Sequence, residues 1–354
     1  MASFMRMTSS AKTVFKFSTL LETKRGLAQK VFTQKVSVIG VPFNKGQPNP
    51  GVSKGPQQLR DAGLIGALQS VNLNVQDVGD VVYEPIPNLP PLENYHNIAH
   101  VAACQKEVSN HVREIVSSGH MCLTIGGDHS ITAGSITGSV NGLGDKLPII
   151  LWIDAHADIN TMSTSPSGNA HGMPVALLLK EIAETWLPDL PAMEWLVPKL
   201  SVKDIGYIGL RDVDSGERKF LSDCGILAYS TEEVERYGVS DIVQAVLAKL
   251  DPSGCRPIHM SFDIDSLDVN EAPATGTPVR GGLTLREGLQ IVEEVHRTGR
   301  LAAFDIVEVN PELSDERGVQ LTVEAAIEVC RSAVGFERRG WPAAGITVDK
   351  RSCN

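Results

Sequence analysis

From residue 36 onward the chain alternates short, nearly uninterrupted apolar runs with longer amphipathic stretches. VSVIGVPF, NVQDVGD, MCLTIGG, PIILWID, IGYIGL, ILAYS, PIHMSFDID and LAAFDIVEVN read as strands. These are continuous hydrophobic runs, not half-polar alternations, which is the pattern of strands covered on both faces. Between them, residues 54–69, 96–118, 174–184, 239–250, 284–297 and 319–333 read as helices. Strand–helix repetition of this kind predicts an α/β protein, a parallel sheet between two helical layers. No Pro/Ser-rich linker, internal repeat or change of composition interrupts 36–340, so one domain is expected there, with a leader at 1–35 and a tail at 341–354.

Composition narrows the function classes. With 42% hydrophobic residues in a 354-residue chain, a sizeable core is available, while runs such as PIILWI fall far short of the ~20 residues of a membrane span. The reading is a soluble protein without a membrane partner. The net charge of −10 conceals an asymmetry: residues 1–35 hold seven basic groups (Arg6, Lys12, Lys16, Lys24, Arg25, Lys30, Lys35) against one acid, Glu22. An acidic body argues against a nucleic-acid partner and suits a cationic small molecule. The basic, Ser/Thr-rich leader, with Phe4, Phe15, Phe17 and Leu20 among its charges, has the composition of a mitochondrial transit peptide. Import into the matrix is therefore expected, with a cytoplasmic location if the leader is only a solvated tail. Six scattered cysteines without a CxxC pair read as reduced thiols, Cys122 as core filler. NKGQPNPGVSKGP (44–56) lacks the spacing of a P-loop or dinucleotide fingerprint, and reads as a rim loop entering a helix at Gly55–Pro56.

Four strand ends carry the polar clusters. GGDHS (126–130) follows MCLTI, DAHAD (154–158) follows PIILWI, FDIDSLD (262–268) follows PIHMS, and Glu308 ends LAAFDIVE. Open α/β sheets build their sites at the carboxyl ends of strands. Alone, an aspartate there is usually a cap or turn residue, and a histidine is more often a hydrogen-bonded core residue than a ligand. In concert, Asp154, His156 and Asp158, two apart, are expected to share one strand face, and Asp263 and Asp265 another. Carboxylates so placed in a dry site repel unless a cation lies between them. The set His129, Asp154, His156, Asp158, Asp263 and Asp265 is too large for one four-coordinate zinc. Two divalent cations fit it, and oxygen-rich, thiolate-free ligation suits Mn²⁺ better than zinc, with magnesium and iron as the alternatives. A metal pair ionises a bridging water at neutral pH, which is hydrolase equipment.

GGDHS, DAHADIN, SGNAHG, GLRDVD, SFDIDSLD, ATGTP and EVNP, in this order over about residues 36–340, resemble the ureohydrolases and most closely the arginases. The resemblance implies a three-layer αβα sandwich with a parallel eight-stranded sheet, two Mn²⁺ per subunit, and hydrolysis of L-arginine to L-ornithine and urea. It implies His129, Asp154, Asp158 and Asp263 as ligands of one metal and Asp154, His156, Asp263 and Asp265 as ligands of the other. Asp158 would relay a proton, His171 would act as shuttle or general acid, and Glu308 would orient the guanidinium, for which a bidentate pair is expected. Asn160, Ser167 and Asn169 match positions contacting the α-carboxylate, Asp214 one near the α-amine, with Asp212 and Glu217 behind it; Thr277 of ATGTP joins the substrate-binding set. A homotrimer is implied too, with Arg339 in the subunit contacts.

Neutral donors at one end and an acceptor at Asp214 favour arginine over its decarboxylated analogue agmatine, which is the alternative substrate. A non-catalytic relative is disfavoured because all six ligands are present, and a zinc deacetylase-like hydrolase because one metal does not need four aspartates. Met162 and Pro166 depart from the family's Thr-rich loop, SLDVN from its SLDP pattern, and Ala157 varies the middle of DAHAD. None removes a ligand. The same site would serve the urea cycle, polyamine or proline supply, or control of arginine.

Overall fold

The computed structural model describes residues 35–71, 73–338 and 340. The leader up to residue 34, the tail after 340, Arg339 and Cys353 lie outside the described residues, while Lys35, the last residue of the expected leader, opens the first strand. Eight strands form one parallel sheet: β1 (Lys35–Val41), β2 (Asn74–Asp80), β3 (Met121–Gly126), β4 (Ile149–Ile153), β5 (Ile205–Leu210), β6 (Leu227–Ser230), β7 (Ile258–Asp263) and β8 (Leu301–Val307). Their order is β2-β1-β3-β8-β7-β4-β5-β6.

Eleven α-helices are described: α1 (Gly55–Asp61), α2 (Leu64–Gln69), α3 (Ile98–Ser117), α4 (Thr132–Gly142), α5 (Pro174–Leu178), α6 (Lys180–Ala183), α7 (Ser215–Asp223), α8 (Thr231–Tyr237), α9 (Val239–Leu250), α10 (Leu285–His296) and α11 (Glu316–Ala333). Side chains of each strand alternate between two cores. In β4, Ile150 and Trp152 join the layer containing α3, α4 and α5, while Ile149, Leu151 and Ile153 join the layer of α1, α2, α9, α10 and α11. That two-sided burial is why the central strands read as unbroken apolar runs. The expectation holds in the middle of the sheet but not at its margins: the edge strands β2 and β6 are largely half-buried or exposed.

The helix at 54–69 is in fact two, because the chain turns at Gly63, whose φ of +91° starts α2. The 174–184 stretch likewise splits at the extended Leu179. Three helices escape the apolar periodicity: α4, α7 and α8. The first is instructive. TAGSITGSVNG is nearly all small residues, and a Cβ at Gly134 or Gly138 would lie 2.3 or 2.5 Å from carbonyl oxygens of α3. A helix selected for close backbone approach carries no amphipathic stripe. It is also the helix that continues directly from His129.

Candidate active site

Four adjacent central strands, β3, β8, β7 and β4, carry the polar clusters to one edge of the sheet, and β5 adds the 211–217 segment beside them. The local geometry corrects one expectation. Asp154, His156 and Asp158 do not lie on a strand: β4 ends at Ile153, and all three sit on the irregular segment beyond it. Asp265 likewise leaves β7 for a short 3-10 turn, Ile264–Ser266. The two-residue spacing has another cause. Asp154 Oδ1 accepts the His156 N–H at 2.8 Å, Asp263 Oδ1 accepts the Asp265 N–H at 2.8 Å, and Asp128 Oδ1 accepts the Ser130 N–H at 3.1 Å. Each strand thus ends in an aspartate that bonds its own chain two residues on, a turn chemistry that D-x-x spacing permits as readily as a strand face. Asp158 and Glu308 complete the edge in the left-handed region, at φ +50° and +64°. Both are costly for such residues and are held by their surroundings; the Glu308 N–H, for instance, donates to Gly127 O at 2.9 Å.

The ligand atoms converge. Those of His129, Asp154 and Asp263, and those of Asp154, His156 and Asp265, each gather within 4.8 Å of one another, with Asp154 common to both groups. His129 Nδ1 lies 3.1 Å from Asp154 Oδ2, 3.1 Å from Asp158 Oδ2 and 3.0 Å from Asp263 Oδ2. It is nonetheless buried without a hydrogen bond of acceptable geometry. Its ring is held from behind, with Nε2 bonded to Ser261 Oγ at 2.8 Å and the imidazole stacked on Trp152, centroids 4.2 Å apart. Trp152 Nε1–H also donates to Asp154 Oδ2 at 2.9 Å. A fixed imidazole nitrogen facing three carboxylate oxygens is the arrangement of ligands around a cation. His156 Nδ1 stands 3.3 Å from both Asp154 Oδ1 and Asp265 Oδ2, and Thr277 Oγ1–H donates to Asp265 Oδ2 at 2.9 Å. Behind Asp265, the Arg211 guanidinium donates to the carbonyls of Asp265 (2.6 Å) and Val279 (2.9 Å).

Electrostatics agree with a cation site. Burial, and then Asp154, raises Asp158 to about 6, while burial, Asp265 and Asp154 raise Asp263 well above the carboxylate range. His129 and His156 are pushed up strongly by the same carboxylates against the effect of burial. Each proton held this way is one that a divalent cation displaces on binding. The residues fit the metal pair that the sequence suggests.

Glu308, expected to orient the guanidinium, lies beside the cluster. Glu308 Oε1 already accepts the His129 N–H at 2.8 Å and lies 3.3 Å from His171 Nδ1, so Oε2 is its freer oxygen. That narrows the bidentate expectation to a pair made chiefly through Oε2. Although burial opposes it, the bond to Glu308 holds His171 up to about 9. Asp128, which accepts the Gly46 N–H at 2.8 Å, fastens the 44–50 loop against this part of the site.

A cleft of about 130 Å³ opens over the site, lined among others by His156, Asp158, Asn160, Ser167, His171, Asp212, Asp214, Glu217 and Thr277. Asn160 Nδ2 donates to Asp214 Oδ2 at 2.9 Å. Asp214 and Glu217 form the capping box of α7, and Glu217 also accepts the Ile159 N–H at 3.1 Å, tying the chain after Asp158 to the 212–217 segment. Burial and the charge of Asp158 push Glu217 up to about 8. Asp212 is exposed, its Oδ2 3.9 Å from His156 Nε2. Asn169 does not line the cleft; its N–H donates to Ser167 Oγ at 3.3 Å. Sequence reasoning missed Asp128 as an anchor, Ser261 and Trp152 as supports of His129, and Arg211. Ser261 left a signal: His259, Ser261 and Asp263 are polar at period two in a buried strand.

Fold and site together define a class: an αβα hydrolase-like sandwich with a carboxylate–imidazole cage at the carboxyl edge of its parallel sheet. The Arginase family profile matches residues 34–335. The hepatic arginase of Aquarana catesbeiana is 45% identical over 316 residues, 89% of this chain and 97% of that protein. Arginase-1 of Homo sapiens is 44% identical over 309 residues, 87% of this chain and 95% of that protein. The crystal structure of Entamoeba histolytica arginase in complex with L-ornithine superposes with a TM-score of 0.75 at 31% identity, covering 86% of this chain and 99% of that one. This chain belongs to the arginase family.

Proposed function

We propose that this protein hydrolyses L-arginine to L-ornithine and urea, using two Mn²⁺ held by His129, Asp154, His156, Asp158, Asp263 and Asp265. The observation that carries the reading is the convergence of three carboxylate oxygens on His129 Nδ1, each 3.0–3.1 Å from it, beside a Glu308 whose Oε1 is bonded to the His129 N–H and whose Oε2 is left to pair with a cation. The relatives' names and the L-ornithine complex of the Entamoeba enzyme support the same substrate. When bound, the metal pair supplies a water-derived nucleophile at neutral pH.

The residues of the chain do the rest. Glu308 Oε2 takes the guanidinium in a charge-assisted bond and sets its central carbon over the cage. Asp158, its Oδ2 beside His129 at the cage, accepts the proton released as the C–O bond forms and passes it to the departing amine nitrogen as the C–N bond breaks. His171, with Nδ1 on Glu308, exchanges protons between the cleft and solvent. At the far end Asn160 and Ser167 meet the α-carboxylate, with Asn169 acting through the bond from its N–H to Ser167 Oγ, and Asp214, backed by Glu217 and Asp212, meets the α-amine. Thr277 acts on substrate through Asp265.

The oxygen-rich, thiolate-free ligand set supports manganese over zinc. Mitochondrial import, directed by residues 1–35, rests on their basic, acid-poor composition. A homotrimer with Arg339 at its contacts, and a place in the urea cycle or other arginine metabolism, complete the reading. Urea release from L-arginine and from agmatine, measured side by side on Mn²⁺-loaded protein, tests it. Strong preference for arginine that chelation abolishes is expected. Preference for agmatine would overturn the assignment of the far end.

A further inference from the structure

The loop from Thr161 to Asn169 forms the rim of the cleft, with Ser165, Pro166 and Ser167 lining it. What holds this loop comes from another part of the chain, just before α3. Asn94 Nδ2 donates to Met162 O at 2.6 Å and to Ser165 O at 2.9 Å. The His96 N–H donates to Gly168 O at 2.9 Å, and His96 Nε2 to Ser167 O at 3.0 Å. Four carbonyls of one short loop are thus taken by two residues.

The two residues are themselves firmly placed. Tyr95 between them is fully buried, as is Ile98 at the start of α3. Asn97 caps that twenty-residue helix at φ +55°, and its Nδ2 donates to Lys45 O at 2.9 Å, linking the clip to the loop at the guanidinium end. The fit leaves no room for a side chain at Gly168: a Cβ there would lie 2.6 Å from Asn94 Oδ1 and 2.9 Å from His96 Nε2, and its φ is +71°.

The direction of these bonds has a chemical consequence. A carbonyl bonded to Asn94 or His96, neither of which lines the cleft, cannot present its oxygen to a bound anion, and the donors left to the rim are the hydroxyls of Ser165 and Ser167, whose oxygens accept the N–H groups of Gly168 and Asn169. A carbonyl turned inward would repel a carboxylate and leave it without a donor. We propose that Asn94 and His96 are positioning residues for substrate discrimination: by turning the carbonyls of Met162, Ser165, Ser167 and Gly168 away from the cleft, they keep this rim complementary to the α-carboxylate. This rests on the reading above that the rim meets that carboxylate.

The experiment uses the full chain loaded with Mn²⁺, with kcat and KM for L-arginine and agmatine in wild type, Asn94→Ala, His96→Ala and His96→Gln. Each alanine variant is expected to raise KM for arginine about tenfold and to leave kcat within about threefold, with kcat/KM for agmatine unchanged. Preference for arginine then falls about tenfold, while His96→Gln, which keeps a donor, retains it. A general loss of structure would lower both substrates together, and the ratio would not move. His96 is exposed, so its variants decide the matter even if Asn94→Ala folds poorly. Full preference in the His96→Ala variant, or equal loss on both substrates, overturns the clip alone. No preference for arginine in wild type overturns the carboxylate assignment and the clip with it.

Discussion

The carboxylate–imidazole cage and the end of the cleft lined by Ser167, Asp212 and Asp214 are built differently. The cage sits at the end of β7 and on the short segments just beyond β3, β4 and β7, with Glu308 beyond β8 beside it; its four aspartates and His129 are all buried, with supports reaching down into the sheet through Ser261 and Trp152. The far end stands on irregular segments: Ser167 and Asp212 are exposed, and the rim is held by bonds from a segment about seventy residues away in sequence. Rigid, desolvated groups suit a function that depends on ångström placement of charge. Solvated groups on loops suit recognition of two charged substituents that must enter and leave. Substitutions at the first end should therefore destroy chemistry, and those at the second should shift selectivity.

The largest effect is expected at the shared ligand. Asp154→Ala removes a carboxylate facing both histidines, and kcat should fall by at least about a thousandfold, with metal content per subunit reduced by elemental analysis. Retention of two metals with full activity would break the contrast between the ends.

Next comes the support beneath the cage. Ser261→Ala frees the His129 ring, and the affinity of the metal next to His129 should drop about 10- to 100-fold in chelator competition. Asp212→Asn, at 3.9 Å from the half-exposed His156, should change affinity by no more than about threefold. Equal effects from the two would show that burial does not separate them.

The smallest effect is a pH dependence. Because the folded pKa of His171, about 9, lies above its ordinary value of 6.5, its contribution to stability is complete below about 6.5 and is lost as pH rises through 9. Thermal melts of the metal-free protein should show a modest decline across that window, absent in His171→Asn. Bound cations would offset the charge of Asp158, one of the carboxylates that raise His171, while Glu308 keeps its bond to the ring, so the decline should move only slightly to lower pH in the loaded protein.

How much of this was legible along the chain varied with the reach of each interaction. The six inner strands announce themselves, because burial on both faces demands runs of apolar residues whatever the neighbours are; β2 and β6, at the margins, are only partly buried. Asp154, His156, Asp158, Asp263 and Asp265 could be grouped from their spacing, but the reason offered, a shared strand face, was replaced by turns in which each strand-end aspartate bonds the N–H two residues on. α4 went unseen because its glycines answer to the backbone of α3, a partner the local pattern does not contain.

The residue types, their order and their place after apolar runs were enough to indicate the sheet, the cage and its chemistry, since local hydrophobicity and charge repulsion operate within a few residues. The pairing order β3-β8-β7-β4, the left-handed turns at Asp158 and Glu308, the seat of His129 on Ser261 and Trp152, and the grip of Asn94 and His96 on the rim were decided only by tertiary structure. Each joins segments far apart in the chain, and a hydrogen bond between distant residues leaves no period and no composition to read.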